Sequence, residues 1–402
     1  MKDLVGAATR RDVMVVGATL AGGALLVGCS PADILSLGAK KDFGAFGPFL
    51  KFTPDGWVTV VSKHIEFGQG NHAGLAAIAA EELDADWDKV RVEQAPANAK
   101  VYGNLGMGVQ GTGGSSAISN SWPQLRAAGA SARAMFVEAA AKTWGVPAAE
   151  ITVQNGVVAH AKTGKQSNFA GLAAEAAKIA PPQTPKLKDP KSFTLIGTDR
   201  VRRKDAQAKS TGTAQFTQDV HLPNMLTAMV AHAPRFGATV ASFDATAAKK
   251  VPGVVEVYQI PTGVAVVADN TWAARQGRDA LVVKWDEAKA EKRGSDQILA
   301  AYKDIAVGKT APTAKAGWQP FDANGDAAQA AGGKAVVEIS YDFPFLAHAP
   351  MEPLNCVAIV NGNSCKLIHG SQIPTVDQLN AAKIVGNLPG AIEVETLFAG
   401  GS

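Results

Sequence analysis

Three cysteines in 402 residues are too few for a disulfide scaffold, and none lies in a CxxC pair or a Cys/His cluster that would hold a structural metal. An excess of charge is also missing: 39 Lys and Arg against 36 Asp and Glu leave a net +3. No basic run is interleaved with aromatics, so nothing points to nucleic acid. Beyond residue 30 no segment is long and apolar enough to span a bilayer, and there is no internal repeat. What abounds is small: 41 glycines and many alanines, in a chain that is 47% hydrophobic and 19% charged. This is globular composition with close backbone packing and Gly-rich loops, long enough for two to four domains with real cores.

The N-terminus reads as an address and not as part of the fold. In "TRRDVMVVGATLAGGALLVGC", Arg10 and Arg11 precede a Gly/Ala-rich apolar run, Val13–Gly28, of about 16 residues. Paired arginines resemble a twin-arginine export signal. "LVGC" at Leu26–Cys29 resembles a lipobox, with Cys29 the lipidated first residue; the alternative is a plain cleaved signal with an incidental cysteine. Twin-arginine export carries folded proteins, which suits a chain that acquires a cofactor before reaching the periplasm. The expected location is therefore periplasmic, exported folded and lipid-anchored if Cys29 is modified.

Residues 30–48 read as a tether and 49–180 as an α+β domain. That domain has a strand in "GWVTVVSKHIEF", a helical stripe at Leu75, Ile78, Ala79 and Leu83, a strand in "KVRVEQA", and a helix from about Ser121 to Trp144. It closes on a hairpin turning at Asn155-Gly156. "APPQTPKLKDPKSF" marks a linker over 181–204. A second unit spans 205–287, and 288–332 connect it onward with one helix at "SDQILAAYKDIA". The last unit, 333–402, opens with a strand in "AVVEISYDF" and closes with one in "PGAIEVETLFAGGS". An Asn361-Gly362 hairpin turn would set Cys365 opposite Ala358 and leave Cys356 out of register for a disulfide, so two buried thiols are expected. His64, His72 and His160 share no ligand spacing and read as structural or solvated; no metal site is assigned to side chains.

Two glycine-rich turns carry the chemistry. Gly68-Gln69-Gly70 ends a strand-like run just before a helix. Its glycines are spaced GxGxxxG, it has no P-loop lysine, and no acidic residue follows a second strand at the usual distance, so a nicotinamide site is disfavoured. Thr112-Gly113-Gly114-Ser115-Ser116 also precedes a helix. Two such turns could hold a phosphate-linked molecule through unpaired N–H groups at the helix starts, without Lys or Arg.

"FGQGNHAGLAAIAAEEL" followed by "GTGGSSAISNSW" resembles the molybdopterin-binding large subunit of molybdenum hydroxylases, the xanthine oxidase superfamily. The branch is that of the isoquinoline 1-oxidoreductase beta subunit and membrane-associated aldehyde dehydrogenases, where the GQG segment lies early. The resemblance implies a multi-domain α+β fold: a pterin-cradling domain at 49–180, an α/β hammerhead domain at 205–287, and the start of a molybdenum-binding domain at 333–402. It implies molybdopterin cytosine dinucleotide with molybdenum as cofactor. Gly68, Gln69 and Gly70 would meet its pterin or phosphate part, Thr112, Gly113, Gly114, Ser115 and Ser116 would hold it, and Gln372 in "GSQIP" would sit beside an oxygen ligand of the metal. Glu352 in "HAPMEP" reads as a structural carboxylate, capping a turn or paired with a cation. The family oxidises aldehydes or N-heterocycles with water-derived oxygen and passes electrons to [2Fe–2S] clusters on a small partner subunit; a c-type cytochrome is a candidate final acceptor. Its glutamate base falls beyond Ser402, so no catalytic residue is assigned, and a split gene with a separate C-terminal half or a truncated frame is expected. The alternative is an exported lipoprotein that binds a small molecule or partner without redox chemistry.

Overall fold

The computed structural model describes residues 44–311, 324–330, 332, 337 and 339–401. The export and lipidation features at Arg10, Arg11 and Cys29, and residues 30–43 of the expected 30–48 tether, lie outside the described residues. The described residues fall into two compact units, one within 44–220 and 348–401 and one within 221–347. These limits differ from the sequence expectation. The first unit runs past residue 205 and takes in most of the segment read as a separate last domain.

The first unit is built on strands β1 (Leu50–Phe52), β2 (Val58–Ser62) and β3 (Val90–Gln94), in the order β1-β2-β3. β1 is antiparallel to β2, and β2 is parallel to β3, so a crossover must join the last two. That crossover is helix α1 (Asn71–Leu83), whose Leu75, Ile78 and Leu83 are buried as their spacing predicts. Each such side chain contributes about 1.5–3 kcal/mol on burial. All five residues of β2 are buried, the mark of a strand covered on both faces. α1 packs on the long helix α2 (Ala117–Trp144) at Gly129, where a Cβ would come within 2.3 Å of the Ala79 carbonyl oxygen. Beyond it, β4 (Ile151–Gln154), β5 (Val157–His160) and β6 (Lys165–Asn168) form a meander. Its first turn, Asn155-Gly156, has both residues at positive φ, 48° and 77°, as a two-residue hairpin requires.

The stretch read as a linker is strapped to α1. Buried Glu81 accepts N–H groups from Thr194, Leu195 and Ile196 and the Lys188 ammonium at 2.6 Å. Glu82 pairs with Arg126, whose guanidinium also reaches the Lys188 carbonyl. The Pro/Lys-rich composition marked a break in regular structure, not a loose connection.

The returning segment adds β7 (Val357–Asn361), β8 (Ser364–His369), helix α3 (Pro374–Val385) and β9 (Ile392–Thr396), in the order β7-β8-β9, with β8 and β9 parallel. The hairpin turns at Gly362-Asn363, one residue later than expected. Asn361 pairs with Ser364, whose hydroxyl donates to the Asn361 carbonyl, and Gly362 supplies a φ of 57° at the first central position. Cys365 therefore faces Val360, not Ala358. Both cysteines are free, but only Cys365 is buried; Cys356 is exposed, against the expectation of two buried thiols. The outer strand and helix leave apolar groups uncovered: Val360 is 60% and Ile384 85% exposed.

In the second unit, Thr227–His232, Gly263–Ala268 and Val254–Ile260 form an antiparallel sheet and Thr239–Asp244 pairs with Val282–Asp286. The helix Thr271–Asp279 buries Ala273, Ala274 and Gly277. The expected "SDQILAAYKDIA" helix is present at Ser295–Ala306. Of the strand expected in "AVVEISYDF", residues 335, 336 and 338 lie outside the described residues, and 339–350 have no regular structure.

Candidate functional site

The first glycine turn follows β2. Gly68 and Gly70 have φ of 117° and 87°, values that a side chain would make costly, and Gly70 caps α1 in the left-handed region. The turn wraps around a carboxylate of its own. Glu66, 1% exposed, accepts N–H groups from Gly68 (2.9 Å), Gly70 (3.0 Å) and His72 (3.0 Å). Burial alone would raise the Glu66 carboxyl, but these N–H groups outweigh it and hold it below the usual carboxylate range. Gln69 is exposed and folds back, its Oε1 accepting from Phe67 N and its Nε2 donating to the Ile65 carbonyl, both at 2.8 Å. The expectation of unpaired N–H groups at both helix starts therefore holds only in part at the first one: Glu66 takes those of Gly68, Gly70 and His72, while those of Asn71 and Ala73 meet no acceptor among the described residues.

Arg203 completes this side. Its guanidinium reaches Glu66 (2.9 Å), the Gly68 carbonyl (2.8 Å) and both oxygens of Asp205, which also pairs with Lys209 at 2.8 Å. Ala399 N approaches the Glu66 carbonyl at 3.4 Å, and the Lys209 ammonium lies over the Phe398 ring.

The second turn, at the start of α2, is different. Ser116 occupies the N-cap but makes no side-chain cap; its hydroxyl turns back to the Gly113 carbonyl and receives Asn104 Nδ2. Among the described residues, no acceptor meets the N–H groups of Gly113, Gly114, Ser115, Ala117, Ile118 or Ser119. Ser115 sits at a φ of 52°, a strained value for a residue with a side chain. Asn120 Oδ1, Ser121 Oγ and Gln110 Nε2 are buried with no partner among the described residues.

Thr112 ties the segments together. Its hydroxyl accepts from Ile65 N (3.1 Å) and lies 3.2 Å from His64 Nδ1, which fixes the second turn beside the stretch leading into the first. Its backbone exchanges two hydrogen bonds with Gln372: Thr112 N donates to the Gln372 carbonyl (2.9 Å), and Gln372 Nε2 donates to the Thr112 carbonyl (2.8 Å). Gln110 N adds a bond to Thr375 Oγ1. The second glycine turn is thus joined at Thr112 to Ile65, three residues before Gly68, and to Gln372.

Glu352 accepts from Gly400 N, Gln218 N and Asn355 Nδ2, a carboxylate capping a turn. His64, His72 and His160 are buried, each with a side-chain partner. No group of three or more His, Cys, Asp or Glu able to hold a metal ion occurs among the described residues. Burial, with the Lys63 charge, pushes His64 down to about 4. Lys63 itself, buried against the Gly103 carbonyl and Gln124 Oε1, is pushed down to about 7 by desolvation.

Sequence reasoning missed Glu66, Arg203 and Lys63. The only available signal was a carboxylate two residues before the first glycine; nothing in the sequence marks an arginine 137 residues away as its partner.

The open amides, the unpartnered Ser121 hydroxyl, and a surrounding without carboxylates in the first turn of α2 fit a ligand with anionic oxygens. Models of the molybdopterin cofactor-binding domain match residues 21–227 and 310–402. The chain is 34% identical to the beta chain of isoquinoline 1-oxidoreductase from Brevundimonas diminuta, over 88% of this chain and 50% of that protein. It is 31% identical to a membrane-bound aldehyde dehydrogenase [pyrroloquinoline-quinone] of Gluconacetobacter polyoxogenes, over 82% and 43%. A third relative is the second of the lettered subunits of nicotinate dehydrogenase from Pseudomonas putida, 27% identical over 88% and 29%. The chain thus spans half or less of the length of these relatives. Among solved structures, quinoline 2-oxidoreductase from Pseudomonas putida 86 aligns over 52% of this chain and 31% of its own, with 19% identity and a TM-score of 0.38. On the family match over residues 21–227, the chain belongs to the molybdopterin cofactor-binding proteins, the family of molybdenum hydroxylase large subunits.

Proposed function

We propose that this chain supplies the first part of a molybdenum hydroxylase large subunit that oxidises aldehydes or N-heterocycles. The observation that supports it is the Thr112 junction, where a glycine-turn hydroxyl meets Ile65 N and the same residue's backbone pairs with Gln372. That junction supports reading the two glycine turns and the glutamine amide as parts of one site. The open N–H groups of Gly113–Ser115 would hold the phosphates, Gln69 an uncharged edge of the pterin, and the remaining Nε2 hydrogen of Gln372 an oxygen beside the metal. An uncharged amide can steady such an oxygen without competing for the metal.

The bound group, as molybdopterin cytosine dinucleotide, would supply the two-electron redox chemistry. This chain binds and orients it; Glu352, taken up by three hydrogen bonds in its turn, is not offered as the base. The base, the substrate pocket and the docking of an iron–sulfur subunit are assigned to the length that the relatives have beyond this match. Export of the folded, loaded protein by the twin-arginine route, with lipidation at Cys29, completes the proposal.

Expressed by itself in a host that makes the cofactor, the 402-residue chain should oxidise neither aldehydes nor N-heterocycles. Adding the C-terminal half and the iron–sulfur subunit should restore both molybdenum, read by mass spectrometry, and turnover. Stoichiometric metal with substrate oxidation by this chain alone would contradict the division. Failure of the assembled protein to retain molybdenum would favour the exported binding lipoprotein.

A further inference from the structure

We infer that Glu66 is a positioning residue: its carboxylate fills the anion site at the start of α1 and so directs the charged part of a phosphorylated ligand to the second glycine turn alone. This rests on the reading that the two turns share one ligand. It adds which turn takes which chemistry.

A helix start attracts an anion through its free N–H groups and its dipole. At α1 that anion is already present. Glu66 takes Gly68 N, Gly70 N and His72 N, and Arg203 closes the remaining side. The charges also cancel. Glu66 and Asp205 are balanced by Arg203 and Lys209, all within 4.0 Å pairings. A phosphate placed here would find the amides of Gly68, Gly70 and His72 engaged and only those of Asn71 and Ala73 without an acceptor among the described residues, beside balanced cations and a buried carboxylate that repels it.

The start of α2 has the opposite character. Its amides are open, its first turn carries no acidic residue, and no side chain caps it. The buried Ser121 hydroxyl, which can donate, lacks a partner among the described residues. What the first turn can still offer is neutral. Exposed Gln69 keeps one amide hydrogen and one lone pair beyond its two backbone bonds, the complement of an uncharged heterocycle edge.

Hydrogen–deuterium exchange of the full chain, with inorganic pyrophosphate as the probe, separates the possibilities. In the wild type, pyrophosphate at about ten times its Kd should slow exchange about tenfold in peptides covering 112–120 and leave 67–73 unchanged. In Glu66→Gln, exchange over 67–73 should rise without ligand, and added pyrophosphate should now slow it. A merely structural carboxylate would not create that new, ligand-dependent protection. Equal protection of both segments in the wild type would overturn the inference while leaving the shared cradle intact. Protection of neither segment would overturn the cradle reading, and this inference with it. The wild-type comparison stands even if the variant fails to fold.

Discussion

The two glycine turns look alike in sequence, and they differ in what their amides do. At the first, a carboxylate four residues before the helix cap folds under the turn and consumes three N–H groups. At the second, six N–H groups have no acceptor among the described residues. The difference lies in neighbours, not in glycine content. A Gly-rich turn before a helix shows that the backbone can come close to something; which partner it meets is decided by the side chains beneath it.

The largest expected effect comes from removing the internal anion. Glu66→Ala leaves three amides unpaired and strips Arg203 of a partner, so it should cost about 3 kcal/mol of stability, read in denaturant unfolding. Ser116→Ala at the second turn should cost about 1 kcal/mol, since only its bonds to Gly113 and Asn104 are lost. Equal losses at the two turns would break the contrast. Thr112→Val keeps the shape and removes the hydroxyl acceptor of Ile65 N; about 1–2 kcal/mol should be lost.

The two sides should also respond to pH in different ranges. Glu66 is held below its ordinary value, so its contribution is complete above the unfolded carboxyl value of 4.5 and is lost as pH falls through the lower folded one. Lys63, joined to Gly103 and to Gln124 of α2, is pushed down to about 7 from 10.5. Between those values the unfolded chain binds more protons than the folded one, so stability rises with pH from about 7 to 10.5. Lys63→Met should raise the melting temperature at pH 7 and flatten that alkaline slope, leaving the acid limb unchanged. The smallest effect belongs to a surface control: Lys51→Ala, losing an exposed pair with Glu93, should change stability by no more than about 0.5 kcal/mol.

Much of the scaffold was legible in the sequence. The apolar spacing of Leu75, Ile78 and Leu83 fixed α1, and Asn155-Gly156 fixed its hairpin, because both signals are local. The Gly362-Asn363 turn was misplaced by one residue because Asn361-Gly362 and Gly362-Asn363 offer the same glycine to a two-residue turn, and the Asn361–Ser364 pairing decides between them. The strand expected in "AVVEISYDF" has the composition of a strand, but residues 339–343 lie in no ladder, and strand propensity without a paired neighbour is weak. Of the site, the glycine turns could be read directly. Gln372 came only from the family resemblance, and the Glu66–Arg203 pair could not be read at all, because a contact across 137 residues leaves no local pattern.

The most direct test is a crystal structure of this chain with cytidine 5′-diphosphate. The account predicts phosphate oxygens within hydrogen-bonding distance of the N–H groups of Gly113, Gly114 and Ser115, with Glu66 still holding the amides of the first turn. A nucleotide whose phosphates displace Glu66 at Gly68 and Gly70, or bind away from both turns, would contradict it.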